Sequence, residues 1–430
     1  MNKHVDKQLR MSRYTSILDN GLRVELLPMP GYHKTYAVMS ADVGSVDTDF
    51  TLSDGSQVHL PAGTSHYLEH KLFEKKDHDA FDLFGKLGAD SNAFTDFTRT
   101  AYLFSTTSKL HQCLDVLLDF VQDPYFTPAL VNKERGIIAS EIRMYQDQPS
   151  ERLYMGMMGN LYPNDPMHND IAGTVRSIQQ ITADDLYQLY DAFYQPANMS
   201  LLVVGKLDPE QTMEWISDNQ SRKEFRPGYQ RPSSLKIADP SGHDVIASGQ
   251  VKMPVHRSSV MVGLRGVQQF ENGRERLKYR LSAELLLALL FDENSDNFLK
   301  LYNQGIIDDT FGYQFEMQRG FHFACFSTST DKDDQFIDSV RQILDQADKE
   351  LISSRQQFNM IKRAWLGRLI GLLDSPETVA ERFAGKLYDN ALLTDEIACL
   401  KGISIDDLSS VINQLIKPGH LTTYKVLRQN

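Results

Sequence analysis

The chain has 430 residues, of which 41% are hydrophobic and 24% are charged, and its formal net charge is -12. This length exceeds what one ordinary hydrophobic core supports, so two or more domains are expected. The acidic charge balance argues against nucleic acid, and against an anionic membrane surface, as the main partner.

The sequence predicts a cytoplasmic protein that does not insert into a membrane. Its start, "MNKHVDKQLRMSRYTS", is charged and lacks the apolar segment of a signal peptide. No apolar run has the length needed to cross a bilayer. Three cysteines in the whole chain do not make a disulfide framework, which fits a reducing compartment.

The first half alternates predicted strands with predicted helices. The stretches "NGLRVELLP", "KTYAVMSADVGSV" and "TRTAYLFSTTS" are typical of strands, the last because it is rich in threonine and aromatic residues. Apolar residues recur at helical spacing over Asp79–Leu87, with Gly88 as a stop, and over Leu110–Val121. Strands followed by helices and then by a further strand indicate the fold class α+β.

Two segments of the chain recur in its second half. "ITADDLYQLYDAFYQPANMSLLVVG", at Ile181–Gly205, aligns without a gap with "ISIDDLSSVINQLIKPGHLTTYKVL", at Ile403–Leu427. Each copy predicts a helix, a proline break and a strand. Upstream of them, "DQPSERLYMGMMGNLY" resembles "DSPETVAERFAGKLY". Two matches in the same order indicate a duplicated domain of about 200 residues.

The stretch between the copies, "SRKEFRPGYQRPSSLKIADPSG", is rich in proline, glycine and serine. We therefore predict a first domain over residues 1–220, a linker over 221–242 and a second copy over 243–430. The stretch is also locally basic, and an alternative is that its arginine and lysine side chains line a substrate channel.

The stretch "GTSHYLEHKLFEK" places His66, Glu69 and His70 close together. If "HYLEH" is helical, with Gly63 and Thr64 supplying its start, the two histidines are i and i+4 on one face. Two imidazoles so placed can bind one Zn²⁺, and Glu69 can take a proton from a water beside the metal. The alternative is a solvated helix face on which three polar residues are neighbours by chance.

A catalytic zinc needs three protein ligands and one open position, so a third ligand should come from another element. The candidate stretch, "KERGIIASEIRMY", carries Glu134 and Glu141 two helical turns apart on one face, with Ile137 and Ile138 between them. Two carboxylates on a partly apolar face are explained by a cation. Glu141 would then be a ligand, and Glu134 would support a ligand from behind.

With these motifs the sequence resembles the pitrilysin/insulinase family of zinc metallopeptidases, the inverzincins. The matching pieces stand in the family's order between Asn20 and Pro209: "NGLRVELLP", "GTSHYLEHKLFE", "GADSNAFTDFTRTAYLF", "ERGIIASEIRMYQDQP", "DIAGTVRSIQQIT" and "QPANMSLLVVGKLDP". The resemblance extends to a small bacterial subgroup whose members usually come as paired paralogous subunits.

The resemblance implies two tandem duplicated domains of the mitochondrial-processing-peptidase/insulinase type, each a mostly antiparallel sheet packed with helices. It implies that His66, His70 and Glu141 are the Zn²⁺ ligands, that Glu69 is the general base and that Glu134 supports the site. The implied function is a zinc-dependent metalloendopeptidase that hydrolyses short or unfolded peptides in a clamshell chamber.

The resemblance also implies that Asn92 and Ala93 bind the substrate backbone. They precede the strand predicted at "TDFTRTAYLF", and an edge strand beside the zinc can accept a peptide by β-augmentation. The alternative for Asn92 is a plain turn residue.

The second half departs from the family pattern in two ways. It has no H-x-x-E-H, and the positions matching Glu134 and Glu141 fall near Ile361 and Arg368. Active members of the family also use an Arg and a Tyr from a second-half domain, in the stretch that here reads "DNFLKLYNQGIIDDTFGY". Tyr302 stands near the position expected for the Arg, and Asp309 stands near the position expected for the Tyr. Tyr313 is a poor substitute for that Tyr, because its register differs.

We therefore expect a second chain to supply the missing Arg and Tyr. The expected assembly is a heterodimer with a paralogous subunit, or a homodimer, in which the chain is the catalytic subunit of a two-subunit peptidase. An alternative function is a non-catalytic scaffold or peptide-binding subunit of a processing or export complex.

Overall fold

The computed structural model describes residues 1–225, 227–234, 244–417 and 419–429. Strands form where β-branched and aromatic residues are frequent. The strands in chain order are β1 (Asn2–Asp6), β2 (Met11–Ile17), β3 (Arg23–Pro28), β4 (Thr35–Ala41), β5 (Asp49–Thr51), β6 (Gln57–His59), β7 (Asp90–Thr95), β8 (Thr100–Thr106), β9 (Met199–Gly205), β10 (Ser233–Ser234), β11 (Ser248–Met253), β12 (Ser259–Gly266), β13 (Gly312–Gln318), β14 (Phe321–Ser329) and β15 (Leu421–Arg428).

The helices of the described ranges are too short or too polar to cross a membrane. The α-helices in chain order are α1 (Thr64–Leu72), α2 (Ala80–Leu87), α3 (Leu110–Gln122), α4 (Pro128–Gln146), α5 (Pro149–Leu161), α6 (Val175–Ile178), α7 (Ala183–Phe193), α8 (Pro209–Ser221), α9 (Gly273–Phe291), α10 (Asp296–Asn303), α11 (Asp333–Asp345), α12 (Ala347–Ser353), α13 (Arg355–Leu372), α14 (Pro376–Glu381), α15 (Leu393–Gly402) and α16 (Ile405–Leu415). Short 3₁₀ helices lie at Pro166–His168, Pro196–Asn198 and Gly385–Tyr388.

Local sequence signals set several of these boundaries. Asp79 caps α2 by accepting a hydrogen bond from the Phe81 amide, and Gly88 ends the helix in the left-handed region with φ 74°. A capping box of Thr182 and Asp185 begins α7. The predicted helices near Asp79 and Leu110 are therefore confirmed, as are the three predicted strands, which correspond to β3, β4 and β8.

One compact unit, unit 1, comprises Met1–Ser140, Ile171–Leu235 and Leu372–Leu393. Within its described residues lies a seven-stranded sheet of order β1-β2-β3-β9-β4-β8-β7. The pair β3/β9 is parallel and the other pairs are antiparallel. Strands β4 and β9 are buried along their whole length and form the centre of the core.

The other compact unit, unit 2, comprises Glu141–Asp170, Lys236–Gly371 and Thr394–Asn430. Its described residues contain a five-stranded sheet of order β11-β15-β12-β14-β13, in which only the pair β11/β15 is parallel. This order repeats β3-β9-β4-β8-β7 of unit 1, with the parallel pair in the same place. The two predicted tandem domains, each a mostly antiparallel sheet packed with helices, are confirmed.

The compact units do not follow the contiguous halves 1–220 and 243–430, because two segments are exchanged. Helix α5 of the first half packs on β11, β12 and β15 of unit 2, whereas α14 of the second half packs on β4 and β9 of unit 1. Close contacts fix α5: a Cβ at Gly156 would lie 2.2 Å from the Tyr424 ring. Of the predicted linker 221–242, residues 226 and 235–242 lie outside the described residues, as does Pro418 of the repeat.

Candidate active site

Helix α1 begins where the chain must make a tight turn. Gly63 has φ 92°, and a Cβ there would lie 2.4 Å from the Ala172 carbonyl oxygen, so glycine is required. The Ser65 hydroxyl donates to the Gly44 carbonyl over 2.7 Å, and the Tyr67 hydroxyl donates to the carbonyl of Val131 on α4. These contacts fix "HYLEH" on a helix, as predicted.

Three predicted ligands converge. His66, His70 and Glu141 each offer a ligand atom, and these atoms lie within 4.8 Å of one another. The two imidazole rings are 4.6 Å apart between centroids, as expected for i and i+4 on one helix. Helix α4 runs without a break through Ser140 and Glu141, so Glu141 is placed by the same helix that carries Glu134.

The donor set fits zinc. Two imidazole nitrogens and one carboxylate oxygen make a known catalytic Zn²⁺ set, and it leaves a coordination position open. Burial, and secondarily the charge of His70, lowers the pKa of His66 to about 3, so its imidazole is neutral at physiological pH and keeps a lone pair. Within the described ranges no other three His, Cys, Asp or Glu side chains converge in this way.

Glu134 lies behind His70, where the sequence places a supporting carboxylate. Its Oε1 is 3.2 Å from His70 Nδ1, and its Oε2 is 3.2 Å from Lys71 Nζ. The hydrogen bond with His70 is the main cause that lowers the pKa of Glu134, although burial opposes it. An ionised carboxylate only accepts, so His70 donates from Nδ1 and keeps the lone pair of Nε2 for a metal.

Glu69 is 8% exposed on the same helix and accepts a hydrogen bond of 2.8 Å from the Thr95 hydroxyl. Sequence reasoning missed Thr95, which is the last residue of β7. The strand's period of two places Thr95 on the same face as Ala93, and that pattern was the available signal. A hydroxyl on Glu69 orients the carboxylate of the predicted base.

Asn92 and Ala93 lie within β7, a separate strand, and they precede the strand predicted at "TDFTRTAYLF", which is β8. They pair with Leu103 and Tyr102 of β8, which excludes the turn alternative for Asn92. Among the described strands β7 is the outermost of its sheet. The Ala93 amide donates to Asn92 Oδ1 over 2.8 Å.

Lys71 is a second residue that sequence reasoning missed. It is fully buried and contacts the carboxylates of Glu74 and Glu134. Tyr67 and Leu68 stand four and three residues before it on the helix, and this apolar spacing was the available signal that position 71 faces the interior.

The second copy carries other side chains at the positions that match Glu134 and Glu141, and near those where the resemblance calls for an Arg and a Tyr. Tyr302 on α10 is 50% exposed, and the hydroxyl of Tyr313 on β13 donates to Asp292 over 3.5 Å. Asp309 lies between these two elements. Helix α13 carries Ile361 and Arg368 and belongs to no metal-binding group among the described residues.

Two family models match the chain. Residues 55–175 match "Insulinase (Peptidase family M16)", and residues 180–364 match "Peptidase M16 inactive domain". The first match contains His66, Glu69, His70, Glu134 and Glu141, and the second contains none of them.

Similar proteins and structures agree with these matches. The Bacillus subtilis (strain 168) protein named "Uncharacterized zinc protease YmfH" is 41% identical over 424 residues, covering 98% of each chain. The crystal structure of a protein described as a "putative M16-like peptidase from Alicyclobacillus acidocaldarius" superimposes with a TM-score of 0.87 at 28% identity, over 97% of this chain and 99% of that one. A protease from Helicobacter pylori shares the fold, with a TM-score of 0.80 at 22% identity over 96% of this chain and 99% of the other.

Proposed function

Because the chain belongs to the insulinase family, peptidase family M16, we propose that it is a zinc-dependent metalloendopeptidase acting on short or unfolded peptides. One observation carries the proposal. His66, His70 and Glu141 offer ligand atoms within 4.8 Å of one another, on the helices that also carry the buried Glu69 and Glu134. A zinc peptidase needs this donor set together with a base beside it.

The chain's own residues supply the proton transfers. Zn²⁺ held by His66, His70 and Glu141 would supply Lewis-acid chemistry, lowering the pKa of water and polarising a carbonyl oxygen. Glu69 accepts the proton of the attacking water and passes it to the leaving amine. The Thr95 hydroxyl holds Glu69 Oε2 over 2.8 Å and so orients the carboxylate for both transfers.

The edge of β7 supports binding of an extended peptide backbone. Asn92 and Ala93 lie on this outermost strand, and Thr95 of the same strand contacts Glu69. An extended peptide pairing with β7 would gain main-chain hydrogen bonds, and its carbonyls would run past the base. A folded protein cannot offer such a segment, which favours short or unfolded substrates.

A partner chain completes the site in this proposal. The resemblance to the family calls for an Arg and a Tyr from a second-half domain, and the stretch from Asp296 to Tyr313 contains no arginine. Loss of one donor to a developing oxyanion costs about 3–4 kcal/mol of transition-state stabilisation. A paralogous subunit carrying that pair, or a second copy in a homodimer, would enclose the peptide in a clamshell chamber.

A second candidate function is a non-catalytic scaffold or peptide-binding subunit of a processing or export complex. The observation that favours it is the missing arginine, together with the match of residues 180–364 to a domain described as inactive. The retained His66, Glu69, His70 and Glu141 weigh against it, because a scaffold has no need for a complete ligand set and base.

The test is mass-spectrometric detection of products from a mixed library of unstructured peptides. The purified chain is incubated in three states: zinc-loaded, stripped by a chelator, and stripped then reloaded. Each state is assayed alone and with a paralogous subunit that carries the Arg and Tyr. Products that appear with zinc, vanish on stripping and return on reloading are expected from the mixture of the two subunits.

Zinc-dependent cleavage by the chain alone would keep the peptidase function and remove the need for a partner. Absence of zinc-dependent products in every mixture would contradict the peptidase function and leave the scaffold function.

A further inference from the structure

Lys71 is a fully buried lysine directly beside the proposed metal site. It follows His70 on α1, and its side chain is 1% exposed. Its neighbours Tyr67, Leu68 and Leu72 are fully buried apolar or aromatic side chains, so the surroundings suit a leucine or methionine at this position. Burying an ammonium group is costly unless carboxylates compensate its charge.

Two carboxylates compensate Lys71. Its Nζ contacts Glu74, three residues further along, and Glu134 Oε2 over 3.2 Å on helix α4. A buried ion pair of this kind is often no more stabilising than apolar packing of the same volume. Stability therefore gives no sufficient reason for a lysine here, whereas the position of Glu134 does.

The Glu134 carboxylate is shared between two donors. Oε1 lies 3.2 Å from His70 Nδ1, and Oε2 lies 3.2 Å from Lys71 Nζ. With Oε2 held by the ammonium group, rotation of the carboxylate is restricted and Oε1 stays on the imidazole. The hydrogen bond to Nδ1 selects the tautomer of His70 that presents Nε2.

We propose that Lys71 is a positioning residue of the metal site: it holds Glu134 in the orientation that fixes the ring and tautomer of His70. This inference rests on the proposed function, because it assumes that His70 is a zinc ligand. A protonated amine has no lone pair for a metal, so Lys71 is not itself a ligand. It acts through Glu134, and Glu74 balances the remainder of its charge.

The test compares Lys71→Met with Lys133→Met in the full chain. Lys133 pairs with the same Glu74 over 3.2 Å, but its side chain is 66% exposed, so solvent screens its charge. The zinc dissociation constant is measured by competition with a chromophoric chelator. Lys71→Met is expected to raise it about 10–100-fold, and Lys133→Met to leave it close to that of the wild type.

The visible spectrum of the Co²⁺-substituted protein gives a readout that a purely structural role would not move. Lys71→Met is expected to shift the d–d bands, because the orientation of one imidazole ligand changes, whereas Lys133→Met keeps the wild-type bands. If Lys71→Met does not fold, Lys71→Met combined with Glu74→Gln removes one positive and one negative charge together. The same loss of zinc affinity is expected from that double variant.

Equal zinc affinity and equal Co²⁺ spectra in the wild type and in the folded Lys71 variant would overturn this inference alone. A wild type that binds no zinc would overturn both this inference and the proposed function. The two failures are therefore distinguishable.

Discussion

Helices α1 and α9 occupy corresponding places in the two units and differ in what they bury. In unit 1, helix α1 buries Glu69, which accepts from Thr95 of edge strand β7, and Lys71, which contacts Glu134. In unit 2, the corresponding helix α9 buries a continuous apolar set that includes Leu286 and Leu290. The sheet orders are the same, so the fold by itself does not make the site.

The difference shows where the protein tolerates the cost of burying polar groups. Burying a carboxylate or an ammonium group without compensation is unfavourable, whereas burying leucine is favourable. Helix α9 of unit 2 buries leucine side chains, which is favourable. Helix α1 of unit 1 buries Glu69 and Lys71, which is unfavourable by itself and fits the proposed metal site.

The largest expected effect comes from replacing the proposed base on α1. Glu69→Gln removes the base without removing a ligand, so we expect peptide cleavage to fall by a factor of about 10²–10⁴ while zinc content stays at the wild-type value. The measurement is kcat on a cleaved library peptide, with zinc quantified in the same sample.

The matched control is Glu284→Gln on α9, the corresponding helix of unit 2, where the carboxylate pairs with Arg280 over 3.1 Å. Cleavage by this variant should stay at the wild-type rate. Substantial turnover by Glu69→Gln, or a comparable loss in Glu284→Gln, would contradict the assignment of the chemistry to α1.

A second change tests the apolar packing of α9 in unit 2. Leu286 on α9 is fully buried, so Leu286→Ala should lower the free energy of unfolding by about 2–5 kcal/mol. Each unit contains one tryptophan, Trp215 in α8 and Trp365 in α13. Urea unfolding followed by Trp365 fluorescence, in a Trp215→Phe background, reports on unit 2.

An unfolding free energy of Leu286→Ala close to that of the wild type would contradict the tight packing of α9.

A third change tests a buried histidine of unit 2. In unit 2, burial lowers the pKa of His322 from 6.5 to about 3, and its Nε2 has no hydrogen-bond partner among the described residues. Between these two pKa values His322 is protonated in the unfolded chain and neutral in the folded chain. The free energy of unfolding therefore decreases as pH falls from about 6.5 towards 3. His322→Val should reduce this dependence by up to about 1.4 kcal/mol per pH unit.

The measurement is a series of urea unfolding curves between about pH 6.5 and pH 4, again with Trp365 as the probe. Identical slopes of unfolding free energy against pH in the wild type and His322→Val would contradict the role of His322.

The smallest expected effect comes from removing the hydrogen bond that orients Glu69. Thr95→Val keeps the shape of the side chain and removes the hydroxyl that donates to Glu69 over 2.8 Å. We expect kcat to fall about tenfold with little change in KM, because the hydrogen bond orients the base and does not bind peptide. Thr98→Val, at a nearby buried threonine, is the matched control, and an equal loss there would remove the special role of Thr95.

The sequence predicts the site helices well because their signals are local. The i, i+4 spacing of His66 and His70 and the two-turn spacing of Glu134 and Glu141 each need only one regular helix to be meaningful. The structure places all four side chains as these spacings predict. The repeat likewise predicts the duplicated sheets, because its helix and strand recur in order.

The sequence does not predict the features that depend on contacts between distant segments. The exchange of α5 and α14 between the units is determined by sheets far away along the chain, and no local periodicity encodes it. The sequence does not indicate β7 as a strand of its own, because most of its residues are polar or small. The roles of Thr95 and Lys71 depend on contacts with other elements. Thr95 of β7 contacts Glu69 of α1, and Lys71 of α1 contacts Glu134 of α4.

The central claim is that one zinc ion binds in the first copy through His66, His70 and Glu141. The most direct measurement is native mass spectrometry of the zinc-loaded wild type beside Glu141→Gln. The account predicts one zinc per wild-type chain and none retained by folded Glu141→Gln, because a neutral amide is a poor substitute for the third ligand. A wild type without zinc, or a Glu141→Gln variant that retains it as firmly, would contradict the account.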